Sequence, residues 1–91
     1  MLAKENLMRR YFLYVLECSD SSLYTGITTD IQRRLREHNE DNKRGSKYTR
    51  SRRPVKILAA KIYNDRSEAS KAESRFKKLS RQQKLEEIKK W

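Results

Sequence analysis

Residues Tyr11 to Cys18 read Tyr-Phe-Leu-Tyr-Val-Leu-Glu-Cys, a run rich in aromatic and β-branched residues that is apolar at both alternating sets of positions. A strand with one solvated face alternates apolar and polar residues; a strand apolar on both faces belongs in the middle of a sheet with something packed above and below it. The rest of the chain must therefore cover both sides of this strand. Ser19-Asp20-Ser21-Ser22 is a cluster of turn formers, and Leu-Tyr-Thr-Gly-Ile-Thr over 23–28 resumes strand composition, which predicts an antiparallel hairpin. Gly26 falls inside the second strand, where a glycine weakens the strand and marks a place where another group comes close. Thr29 with Gln32 forms a capping-box pattern, and a helix follows with Ile31 and Leu35 on its apolar side. Val55 to Tyr63 has strand composition. Asp65 with Glu68 and Ser80 with Gln83 open two more helices, the first carrying Ala69, Ala72, Phe76 and Leu79 at helical spacing and the second Leu85, Ile88 and Trp91.

The predicted order is β-β-α-β-α-α, an α+β single small domain built as a three-stranded antiparallel sheet flanked by helices. With 91 residues there is room for one small core and none for two lobes around a cleft. Residues 1–10 show no period and read as a loosely ordered lead-in to a domain over 11–91.

Charge narrows the function. Lys and Arg number 23 against 12 Asp and Glu, a formal net charge of +11. That excess favours a polyanionic partner, with nucleic acid ahead of an anionic membrane surface. Seven of the cations (Lys43, Arg44, Lys47, Arg50, Arg52, Arg53 and Lys56) fall in one stretch without an acid, with Tyr48 among them. Such a stretch suits phosphate contacts, with the aromatic ring able to stack on an unpaired base. It also contains Gly45 and Pro54, so a connecting segment with at most one helical turn is expected. The single cysteine, Cys18, excludes a disulfide framework and a Cys-based zinc cluster. No apolar run approaches membrane-spanning length, and the N-terminal residues lack an apolar signal core, so a cytoplasmic protein without a membrane anchor is expected.

Three features fit a purely structural reading poorly. Glu73 lies on the same helical stripe as Ala69 and Phe76, where a carboxylate needs a cationic partner, a rim position or a metal. A lone carboxylate suits Mg²⁺, which keeps most of its waters and completes its shell with phosphate oxygens. Arg34 and His38 are one helical turn apart and can address the same phosphate. Tyr14 and Tyr24, on the two hairpin strands, can be buried strand residues or groups that orient a water.

Taken together, Tyr14, Tyr24-Thr25-Gly26, Arg34, His38 and Glu73 resemble the GIY-YIG endonuclease superfamily, and the chain resembles its small stand-alone UPF0213 group. The likeness is carried by residues 23–39 and 47–55 and covers about residues 11–90. The first motif reads Phe12-Leu13-Tyr14, without its glycine, and Ile27 stands where some relatives have Lys. The resemblance implies a metal-dependent DNA endonuclease directed to damaged or unusual DNA structures, in repair or recombination. In it Glu73 would hold Mg²⁺ or Mn²⁺, Arg34 would bind the reacting phosphate, and Tyr14, Tyr24 or His38 would handle the attacking water. Gly26 and the basic segment (Lys43, Arg44, Lys47, Tyr48, Arg50, Arg52 and Arg53) would contact DNA. A monomer is expected, with a partner protein as one source of target choice. The competing expectation is a nucleic-acid-binding module that keeps the fold without the chemistry.

Overall fold

A computed structural model describes residues 10–91, so the lead-in expected over 1–10 lies, apart from Arg10, outside the described residues. The central strand is β1 (Tyr11–Glu17), flanked by β2 (Leu23–Thr28) and β3 (Lys56–Tyr63) in the order β2-β1-β3, both pairings antiparallel. The two-sided apolar run of β1 is explained by its two faces. Leu13 and Val15 point to one side, where they pack with Ala72 and Phe76 and are bordered by Leu79, Ile88 and Trp91. Tyr14 and Leu16 point to the other, where they pack with Cys18 and Val55 beside Tyr24, Leu35 and Ile57.

The first side is covered by α3 (Arg66–Lys77) and α4 (Arg81–Ile88), the second by α1 (Ile31–Glu40) and the short α2 (Lys47–Arg50). Helix α3 starts at Asp65, whose carboxylate accepts from the Glu68 N–H, and α4 starts at Ser80 in a complete capping box with Gln83. Helix α1 departs from expectation. Its N-cap is Asp30 rather than Thr29, and the carboxylate accepts from the Arg33 N–H at 3.0 Å. A carboxylate is the stronger acceptor and also meets the positive end of the helix dipole, which places the cap one residue later.

The hairpin turn holds Ser21 in the left-handed region, φ 68°, and Asp20 Oδ1 accepts from the Ser22 N–H at 3.0 Å. The same carboxylate reaches Arg52 Nε at 3.1 Å, and the Ser19 N–H donates to the Arg52 carbonyl at 2.9 Å. Two further clamps hold the basic segment. Asn39 donates to the Val55 carbonyl (2.9 Å) and accepts from its N–H (2.7 Å). Arg53 donates to the backbone carbonyls of His38 (2.7 Å) and Asp41 (3.1 Å) and to the Asn42 side chain (3.0 Å). A segment that reads as a charged loop is thus tied at both ends to α1 and the hairpin.

Replacing Asn39 by Ala leaves the Val55 N–H and carbonyl without these partners. The expected cost is about 1–3 kcal/mol, read as a lowered midpoint in urea unfolding with an unchanged slope.

Candidate active site

The site lies on the α1 side of the sheet and begins with a close contact. Tyr14 pairs with Gly26 across β1 and β2, and its ring lies over the glycine: a Cβ at position 26 would stand 2.5 Å from the Tyr14 hydroxyl oxygen and 2.8 Å from Cζ. This is the close approach that the strand glycine signalled. Two residues away in β2, Tyr24 shares the same face, its ring centroid 6.4 Å from that of Tyr14. Helix α1 brings in His38, 0% exposed, with its ring 5.9 Å from Tyr14 and 5.0 Å edge-on to Tyr24.

A chain of hydrogen bonds runs inward from the phenol. The Tyr14 hydroxyl lies 2.9 Å from His38 Nε2, and His38 Nδ1 lies 2.8 Å from Thr49 Oγ1. Thr49 Oγ1 is in turn 2.8 Å from Ser46 Oγ and 3.2 Å from the Ser46 carbonyl. A neutral imidazole donates through one ring nitrogen and accepts through the other, so the phenol gives its proton to Nε2 in the tautomer in which Thr49 accepts from Nδ1–H. Burial, followed by the nearby Arg34 charge, lowers the His38 pKa to about 4. Burial likewise pushes the Tyr14 phenol up to about 12, against the opposing pull of Arg34. Both groups are therefore neutral at pH 7.

Arg34, one turn before His38, is held by Glu37 Oε1 at 2.8 Å and donates to the Arg44 carbonyl at 2.6 Å. Burial alone would lower its pKa, but hydrogen bonds with Glu37 and Tyr14 raise it, so the guanidinium stays charged beside the phenol. Glu73 comes from α3, and its charge is among those that raise the Tyr14 phenol. Its side chain is 22% exposed, and Oε2 pairs with Lys77 Nζ at 3.2 Å. Both the cationic partner and the rim position considered for this acid are therefore present.

No group of three or more His, Cys, Asp or Glu able to hold a metal occurs among the described residues. The donor set is one carboxylate, which fits a hard divalent ion that brings its own waters and a substrate oxygen, and does not fit zinc.

The basic segment divides in two. Arg53 is committed to three acceptors, and Arg52 is engaged with Asp20 and the Tyr48 carbonyl while its guanidinium carbon lies 3.8 Å over the Tyr48 ring. Arg50 donates to the Asn42 carbonyl at 2.7 Å, and Arg44 pairs with Asp41 at 3.3 Å while remaining exposed. Lys43 and Lys47 are exposed. Tyr48 reaches Tyr24, centroids 6.0 Å apart, and so joins the aromatic group. The sequence reading missed Thr49, Ser46 and Asn39. Ser46-Lys-Tyr-Thr49 carried a signal, since a serine three residues before a threonine caps a helical turn, and Ser46 Oγ accepts from the Thr49 N–H at 3.1 Å.

With this geometry in view, comparison with known proteins is decisive. Residues 10–86 match the family described as the GIY-YIG catalytic domain. The chain belongs to the GIY-YIG family. A UPF0213 protein of Streptococcus agalactiae serotype V is 54% identical over 78 residues, covering 86% of each chain. A UPF0213 protein of Syntrophus aciditrophicus is 49% identical over 82 residues, covering 90% of this chain and 93% of the relative. Among solved structures, a solution NMR structure of a protein from E. faecalis is similar with a TM-score of 0.65 and 48% identity, covering 90% and 85% of the two chains. That of a UPF0213 protein from Bacillus halodurans gives 0.56 and 39%, covering 88% and 83%. The expected sheet with flanking helices is thus the architecture of this GIY-YIG chain and of its UPF0213 relatives, and the family is one of nucleases.

The buried imidazole makes stability depend on pH. The folded-state value of about 4 lies below the ordinary imidazole value of 6.5, so on acidification the unfolded chain takes up the proton first and is favoured. His38 should add nothing to pH dependence above about pH 7 and remove on the order of 3 kcal/mol between pH 6.5 and 4. Urea unfolding across that range should show the slope in the wild type and lose most of it in His38→Gln.

Proposed function

We propose that this chain is a metal-dependent endonuclease that hydrolyses phosphodiester bonds in DNA, directed to damaged or unusual structures in repair or recombination. The observation that supports it most is the hydrogen-bonded Tyr14–His38–Thr49 chain, with the Arg34 charge acting on both Tyr14 and His38. A module that only binds a polyanion has no use for a buried proton path ending at a phenol, nor for a carboxylate, that of Glu73, whose charge reaches that phenol.

In this reading Glu73 would hold Mg²⁺ or Mn²⁺ in place of its ion pair with Lys77. The ion supplies Lewis-acid stabilisation of charge on a phosphate oxygen. Arg34 takes a second phosphate oxygen and offsets the charge that builds up as water attacks phosphorus. The attacking water passes a proton to the Tyr14 oxygen as the phenol proton moves to His38 Nε2, the P–O bond to the leaving strand breaks with its oxygen taking a proton from solvent water, and His38 then returns its proton to solvent. His38 is a weak base in the free protein partly because Arg34 faces it; an incoming phosphodiester opposes that charge and strengthens the base. In this reading Thr49 accepts from His38 Nδ1–H, which leaves Nε2 as the accepting nitrogen. Tyr24 packs against the imidazole and limits its rotation.

No helix among the described residues is long and apolar enough to cross a membrane. The buried free thiol of Cys18 suits a reducing cytoplasm, where a small basic monomer meets DNA directly or through a protein that selects the target.

Cleavage of single-stranded, nicked and branched DNA with Mg²⁺ or Mn²⁺ tests the proposal, using wild type and Glu73→Ala purified in parallel. Cutting should fall by roughly 10²-fold or more in Glu73→Ala and in Arg34→Ala, while DNA binding in chelator persists. Equal cutting by wild type and Glu73→Ala would expose a contaminant, and binding without cutting in either would leave the non-catalytic module.

A further inference from the structure

A second concavity adjoins the site and extends beyond the groups used in the chemistry above. It has a volume of about 220 Å³ and is lined by Leu23, Tyr24, Thr25, Tyr48, Lys77 and Lys84. Tyr24 and Thr25 are consecutive in β2 and so project to opposite faces of the sheet, which means that the groove runs over the free edge of β2. Tyr24 and Tyr48 form an aromatic wall, with ring planes within 30° of each other, and Arg52 covers Tyr48 at 3.8 Å. Lys77 and Lys84 supply positive charge from α3 and α4.

One polar group in this groove is unexplained. Thr25 is 4% exposed, and its Oγ1 is buried without a hydrogen-bond partner. Valine would fill the same volume without burying an unpaired hydroxyl, so the threonine stands out as a group waiting for a ligand.

We propose that this groove is a subsite for one unpaired nucleotide of a single-stranded segment next to the scissile bond. Its base would rest on the Tyr24–Tyr48 wall, its polar edge would reach Thr25 as the β2 edge adjusts, and its phosphate would lie between Lys77 and Lys84. The inference deepens the nuclease reading and rests on it. The groove joins the site on two sides, since Lys77 is one helical turn from Glu73 and pairs with it, and Tyr24 packs edge-on to His38. A base held against these rings must leave its duplex stack, and the free volume suits a single base better than the edge of a double helix. Lys77 then has two uses: it neutralises Glu73 in the free protein and passes to the nucleotide phosphate when the carboxylate takes a metal.

The test uses the whole chain in excess chelator, so that nothing is cut, with a fluorescent oligothymidylate and, separately, a blunt duplex as probes. Single-strand affinity should exceed duplex affinity. Tyr48→Leu should weaken the single strand roughly tenfold and Tyr48→Trp should restore it. Lys84→Gln should weaken it more than the charge-matched Lys89→Gln. Thr25→Val should hold or raise the melting temperature while weakening binding, a combination that a structural role would not produce. Equal binding of the two probes with no response to Tyr48→Leu would overturn the subsite and leave only backbone electrostatics. Because binding is read without metal, the two readings fail separately. Groove variants that weaken binding to a protein that never cuts would sink the nuclease and keep the subsite, whereas cutting by a protein indifferent to Tyr48→Leu would do the reverse.

Discussion

The contact between the Tyr14 ring and the bare backbone at Gly26 holds the site together. A Cβ at that position would displace the ring, and the ring is what aims the phenol at His38. From there the dependence spreads through α1 to α2, because His38 is positioned by Thr49 and its backbone carbonyl is gripped by Arg53. A missing side chain in an edge strand thereby sets the geometry of groups contributed by three other elements. The destabilisation that a strand glycine brings, on the order of 0.5–1 kcal/mol, is small beside what it permits.

Most of the framework was legible from local pattern. The two-sided run in β1, the turn cluster after it and the serine and aspartate caps of α3 and α4 all follow from interactions within a few residues, and these are what sequence periodicity reports. Gly26 was legible as an anomaly, though its partner was not, because register across a hairpin decides which residue faces it. Thr49 escaped notice because its role depends on an imidazole eleven residues away that becomes its neighbour only once α1 has docked. The cap of α1 was misplaced by one residue for a local reason: threonine and aspartate stand side by side, and the carboxylate won.

The basic segment illustrates why charge counts overstate a binding surface. Its arginines looked equivalent in sequence, yet Arg53 spends its donors on backbone and amide acceptors and Arg52 bridges the hairpin turn while stacking on Tyr48. These two stiffen the segment and shape what it presents, while Lys43 and Lys47 stay at the surface. Guanidinium forks suit fixed multi-acceptor positions, and lysine suits a loose electrostatic approach. The segment uses each for what it does best.

The two apolar clusters lie on opposite faces of the sheet and share β1 as their buried centre, which gives Leu13 and Val15 to one and Tyr14 and Leu16 to the other. Neither layer of helices has a core of its own without that strand. Loss of packing on the α3–α4 side removes support for the same seven residues that carry Tyr14, so damage far from the chemistry reaches it by loosening the strand itself. A chain arranged this way should melt as a single cooperative unit, with no half-folded form in which one face of the sheet stays intact.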